Sequence, residues 1–136
     1  MYIISTKITK SNIEGLGVFA QEQIAKGKIV WQFKQNHDIK LTPEDYSALP
    51  AGKRLMLDKT AYLSPWTGYW VFPPDNDPAQ YTNHSNQNNL SVVYDKDIST
   101  EPYFIANRDI RVGEELTNNY HDFDKITQDT KPVWAN

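Results

Sequence analysis

Three short segments carry residues whose types and spacing could do chemistry. Gly15-Leu16-Gly17 sets two residues without a Cβ around one ordinary residue, so the backbone there can approach a ligand closely. Taken alone, a Gly-x-Gly pair is most often a turn. Asn83-His84-Ser85 opens a polar run that continues Asn86-Gln87-Asn88-Asn89. Such a run cannot form a strand core, because each buried amide and the imidazole would need partners. It reads either as a solvated loop with Asx turns or as a loop presenting amides to a polar ligand, a nucleobase or a zwitterionic amino acid. The third segment, Gly113-Glu114-Glu115-Leu116-Thr117-Asn118-Asn119-Tyr120, ends on a tyrosine. A phenol in an apolar pocket can orient a nucleophile through one hydrogen bond; an isolated tyrosine is equally a core or rim aromatic.

The 136 residues are enough for one domain with a sizeable core and leave little room for a second. Four Trp, eight Tyr and five Phe supply too much buriable area for a disordered chain. With 14 Lys+Arg against 17 Asp+Glu, the net charge is −3. Non-specific nucleic-acid binding needs clustered cations and is not expected. A lysine-rich peptide would be drawn to such a surface. Cysteine is absent, which excludes disulfides, a thiol nucleophile and a Cys-based zinc site, and the three histidines (His37, His84, His121) show no metal-binding spacing. No metal is expected. No run of 18 apolar residues could span a membrane, and no basic segment precedes a long apolar run at the start. The cytosol is the expected compartment, with signal-less export to a host left open.

These segments must be positioned by many short strands and few helices. Strands are expected over 2–9, 28–33, 68–72, 90–94 and 103–106, with a weaker one over 115–118. Thr42 is an N-cap signal before Pro43, Glu44 and Asp45, for a helix ending by Leu49-Pro50. A second short helix is expected near 52–58, and Asp77-Pro78 suits one capped helical turn. The residues after Tyr120 read as irregular. One internal echo stands out: Ala20-x3-Ile24-x2-Gly27 recurs as Ala106-x3-Ile110-x2-Gly113. Both copies read as strand–turn–strand units with Ala and Ile inward and Gly at positive φ.

The order and spacing of the three segments together are specific. Gly15-Leu16-Gly17-Val18-Phe19-Ala20, then Tyr81-Thr82-Asn83-His84-Ser85, then Gly113-Glu114-Glu115-Leu116-Thr117-x2-Tyr120 resemble the SET-domain protein lysine methyltransferases, over about residues 5–123. The likeness is greatest to the short stand-alone SET proteins of bacteria and viruses. It implies a single, mainly β SET domain over 1–136, built of several short curved sheets, whose C-terminal segment threads beneath a preceding loop as a pseudoknot. That threading would bring Asn83-His84 beside Tyr120. The implied activity is transfer of a methyl group from S-adenosyl-L-methionine to a lysine of a protein or peptide, histone-like or from a host. The alternative is a weak or inactive SET-fold module that binds basic peptides. By position, Gly15, Leu16, Gly17, Asn83 and His84 would hold the cofactor and Tyr120 would be catalytic. Phe123 or Trp134 would stack on adenine or close the channel, with 124–136 as a tail. Trp31, Phe33, Tyr69, Tyr81 and Asn118 are candidates for the lysine channel. The chain departs from the family pattern in two places. Asn86 stands where Cys often follows Asn-His-Ser, and no Cys-rich zinc tail exists. Asn118 occupies a position usually Tyr or Phe that influences how many methyl groups are added.

Overall fold

The structure, a computed structural model, describes residues 1–130; Trp134 lies outside them. Among the described residues, ten short strands and three helices follow one another. The first are β1 (Thr6–Lys10), β2 (Leu16–Ala20), β3 (Ile29–Gln32) and β4 (Ile39–Leu41), then α1 (Pro43–Ser47) and α2 (Ala51–Leu57). There follow β5 (Tyr62–Leu63), β6 (Trp70–Phe72), β7 (Asn83–His84), β8 (Leu90–Val93), β9 (Tyr103–Ala106), β10 (Thr117–Asn118) and α3 (Lys125–Asp129). Single 3-10 turns precede β7 (Pro78–Tyr81) and follow β10 (Tyr120–Asp122). The strands form four small sheets: β1-β2, β3-β9-β8, β4-β6-β5, and the parallel pair β10-β7. The mainly β, several-sheet architecture expected from the sequence is what the structure shows.

The two copies of the echo pair with each other. Ile24 and Ile110 exchange both backbone hydrogen bonds, at 2.9 and 2.8 Å, while Gly113 N–H donates to the Ala20 carbonyl and Gly27 N–H to that of Ala106, both at 2.8 Å. Position for position the pairing is two-fold symmetric, Ala against Gly around a central Ile–Ile bridge. Gly27 and Gly113 share a φ of +90°, a conformation a side chain disfavours. Ala20, Ile24, Ala106 and Ile110 are all buried in the main core, together with Val18, Val30, Leu90 and Leu116. A smaller core of Tyr46, Leu57 and Phe72 lies under α1 and α2.

Several expectations need correction. The first strand begins at Thr6; Tyr2 forms an isolated antiparallel bridge with Trp31. β4 and β5, of three and two residues, were too short to show a period. The described residues after Asn119 form a 3-10 turn and a helix. Its cause is Asp124, whose carboxylate caps α3 by accepting from Thr127 N–H and Oγ1 at 3.3 and 2.6 Å. The same side chain accepts from Leu63 N–H at 3.0 Å, tying α3 to β5.

Candidate active site

β7 and β10 bring the second and third segments together. Asn83 lies opposite Thr117 and His84 opposite Asn118, and Ser85 N–H donates to the Asn118 carbonyl at 2.9 Å. Asn89, 1% exposed, extends this junction in place of a strand. Its Nδ2 donates to the Glu115 carbonyl at 2.8 Å and its Oδ1 accepts from Thr117 N–H at 2.9 Å. The polar run therefore spends a buried amide on two backbone groups that would otherwise lack partners.

This junction fixes Tyr120. Its backbone N–H donates to His84 Nδ1 at 3.1 Å, with the rings 5.1 Å apart. A neutral His84 accepting at Nδ1 carries its proton on Nε2. The phenol donates to the Thr82 carbonyl at 3.2 Å, and the Thr82 hydroxyl is itself bonded to Tyr2 Oη at 2.7 Å. Because the phenolic proton is committed to Thr82, the oxygen's lone pairs remain available to accept. Burial pushes the Tyr120 phenol above its ordinary range, and the Glu14 and Asp124 carboxylates act in the same direction.

Tyr120 stands in the wall of a cavity of about 260 Å³, with Tyr2, Trp31, Tyr62, Phe72, Phe104 and Phe123 as its other aromatic walls. Phe123 is the hub: it meets Tyr62, Phe104 and Tyr120 edge-to-face at 5.1, 5.0 and 5.7 Å. Asp58 and Asp124 add carboxylates to the lining and Lys59 one ammonium. Asn118 also lines it, and its buried Oδ1 has no hydrogen-bond partner among the described residues.

The first segment lies against the other side of the junction. Gly15, at φ +47°, closes the β1–β2 hairpin by accepting from Ser11 N–H at 2.8 Å. Asn83 Nδ2 sits among four oxygens: Ser11 Oγ, Glu14 O and Leu16 O at 3.1 Å each, and Glu115 Oε2 at 2.8 Å. An amide has two N–H groups, so this nest holds more acceptors than Asn83 can satisfy. Ser11 Oγ donates to Glu115 Oε1 at 2.6 Å, completing the cluster. A Cβ at Gly17 would come within 2.8 Å of Glu115 Cδ. Gly17→Ala is therefore expected to destabilise the fold by about 1–3 kcal/mol, through displacement of Glu115. A denaturant titration that gives an unchanged midpoint would contradict this packing.

Of the residues singled out from the sequence, Trp31, Asn118, Tyr120 and Phe123 share the cavity wall. Leu16 gives the nest one acceptor for Asn83, Gly17 abuts its Glu115, Gly15 sits in the hairpin turn between Glu14 and Leu16, and His84 links nest to cavity. Tyr81 packs against the core from the 3-10 turn, outside the cavity lining. Phe33 and Tyr69 also lie outside that lining and face the ammonium of Lys40 instead. Sequence reasoning gave no role to Glu115, Asn89, Thr82 or Ser11. Glu115 and Thr82 stand inside the motifs and Asn89 just beyond one, whereas nothing local marks Ser11. Among the described residues there is no group of three or more acidic or histidine side chains able to hold a metal, and no helix long and apolar enough to cross a membrane.

The SET domain family model matches residues 15–121. A solved Plasmodium falciparum protein described as a histone methyltransferase is similar over 96% of this chain and 97% of its own, at 20% identity and a TM-score of 0.58. The apo ctPRC2 complex with mutations in Ezh2 is similar over 93% of this chain, at 23% identity and a TM-score of 0.65. This chain spans 16% of that one. At these identities the likeness speaks for the fold. No curated protein sequence matches the chain.

Proposed function

The chain belongs to the SET-domain family, and from that premise we propose that it is an S-adenosyl-L-methionine-dependent protein-lysine N-methyltransferase. The observation that carries this reading is Tyr120 in an aromatic cavity, its proton engaged by Thr82 and its backbone held by His84.

The residues present fit the cofactor. The nest around Asn83 has more acceptors than donors, so an amino-acid ammonium would satisfy oxygens that the amide leaves over. Gly15, Leu16, Gly17, Asn83 and His84 are the residues proposed to hold it, with Phe123 closing the site from the cavity side. When bound, the cofactor supplies an electrophilic methyl group on a sulfonium.

The chain's own residues prepare the amine. A lysine ammonium, with an ordinary pKa of about 10.4, must lose its proton before it can attack. Burial against aromatic walls disfavours its charged form, while Asp58 and Asp124 attract it as it enters. Tyr120 Oη accepts an N–H of the neutral amine and aims its lone pair, so the tyrosine acts by orientation and electrostatics. A phenol held above its ordinary range stays protonated and is not the base. The pH profile should therefore show one rising limb, from about pH 7 toward pH 10, set by the amine. A falling limb in that range would mean that Tyr120 titrates there.

A peptide panel incubated with isotopically labelled cofactor and read by mass spectrometry tests the activity. Calorimetric titration tests cofactor binding, and no detectable heat at about 1 mM would overturn the reading. Asn118 favours a second reading, a SET-fold module that binds basic peptides without methyl transfer. Its unpartnered carbonyl can accept from a lysine ammonium and hold it charged. Peptide binding without labelled product would select that reading.

A further inference from the structure

A second cation site lies apart from the Tyr120 cavity. Glu101, just before β9, is fully buried, and neither carboxylate oxygen has a hydrogen-bond partner among the described residues. Facing it is Lys40 of β4, whose Nζ is 3.9 Å from Glu101 Oε2. That is too long for a hydrogen bond. The same ammonium stands 4.6 Å from the Tyr69 ring centroid and 5.8 Å from that of Phe33. Phe33 and Lys40 also line a groove of about 580 Å³ that includes His37 and Asp38, with Tyr69 and Glu101 outside its lining. The Lys40 side chain is about one-third exposed and Tyr69 is 36% exposed, so the site opens to solvent.

The contacts offered here are unusual for a lysine. A primary ammonium has three N–H donors and gains most from oxygens within about 3 Å. This site offers ring faces and a carboxylate held about one methyl group too far away. Such a set suits a cation whose surface is methyl groups, which donates nothing and is attracted by ring quadrupoles and net charge. We propose that Phe33, Tyr69 and Glu101 form a cage for the methylated ammonium of a partner's lysine side chain, and that Lys40 is the internal cation it displaces. Burial pushes the Glu101 carboxyl up, and the nearby Thr67 and Ser64 hydroxyls together with the Lys40 charge oppose that, so an incoming cation takes over one part of an electrostatic role that is already present.

The test is calorimetric titration of Nα-acetyl-trimethyllysine amide into the wild-type chain, Lys40→Ala and Lys40→Ala/Tyr69→Ala. Lys40→Ala is expected to bind at least about tenfold more tightly than wild type, and the added Tyr69→Ala to lose that gain. The unmethylated analogue should bind Lys40→Ala about tenfold more weakly. No heat with a Lys40→Ala protein that melts cooperatively, or equal binding of the two analogues, overturns the proposal. Should Lys40→Ala not fold because Glu101 is left uncompensated, Lys40→Ala/Glu101→Gln removes both charges and must still bind through the rings; failure there also overturns it. Choline is the control for another source of the same chemistry, and an affinity matching trimethyllysine overturns the assignment to a lysine side chain. Binding here requires no methyl transfer, so the result is independent of the proposed activity.

Discussion

Tyr120→Phe is expected to lower methyl-transfer turnover about 10²–10³-fold while leaving cofactor affinity within about twofold. The substitution removes one oxygen and almost no volume, so the aromatic packing on Phe123 survives. What disappears is the acceptor that aims the amine, together with the phenol's hydrogen bond to Thr82 O. Leaving that carbonyl without its donor costs about 1 kcal/mol of stability, far too little to explain the loss of rate. Turnover by mass spectrometry, cofactor affinity by calorimetry and a denaturant midpoint separate the three effects. Activity within about tenfold of wild type would remove Tyr120 from the role assigned to it.

Asn83→Asp should be the most damaging change of similar size on the cofactor side. Asn83 Nδ2 is the donor at the centre of Ser11 Oγ, Glu14 O, Leu16 O and Glu115 Oε2. A carboxylate there supplies no donor and sets a second negative charge against Glu115. The expected outcome is a loss of about 3 kcal/mol of stability and at least about a hundredfold in cofactor affinity. Adding Glu115→Gln returns a donor and removes the repulsion, so the double variant should recover part of the stability. A double-mutant cycle measures the coupling; additive effects would mean that Asn83 and Glu115 do not act together.

The motifs marked Asn83, His84 and Tyr120, and the family resemblance made their meeting legible. Neither composition nor period could have done so, because Asn83 and Thr117 are joined by a parallel pair with no crossover helix between them. The walls of the cavity were read less well. Trp31 lines the cavity, whereas Phe33 lies two residues on, past the end of β3, and faces Lys40. Tyr62 and Phe104 were missed because an aromatic in a short strand carries no mark of which core surface it faces. α3 was missed because five residues give no helical period, and its stability comes from Asp124 and contacts with β5.

The parallel pairing of β7 with β10 also determines the order in which the protein can mature. Residues 83–84 acquire their partners only from residues 117–118, and Tyr120 docks only once those partners are in place. The β1–β2 and β8–β9 hairpins close over short loops and can form early, whereas this junction carries the entropy of a long closure. The nest around Asn83 needs Glu115, and the wall holding Tyr120 needs the segment beyond it. During synthesis most of the sheet framework therefore precedes the site, and a nascent chain that has not yet delivered Glu115 and Tyr120 has hairpins but neither half of the chemistry.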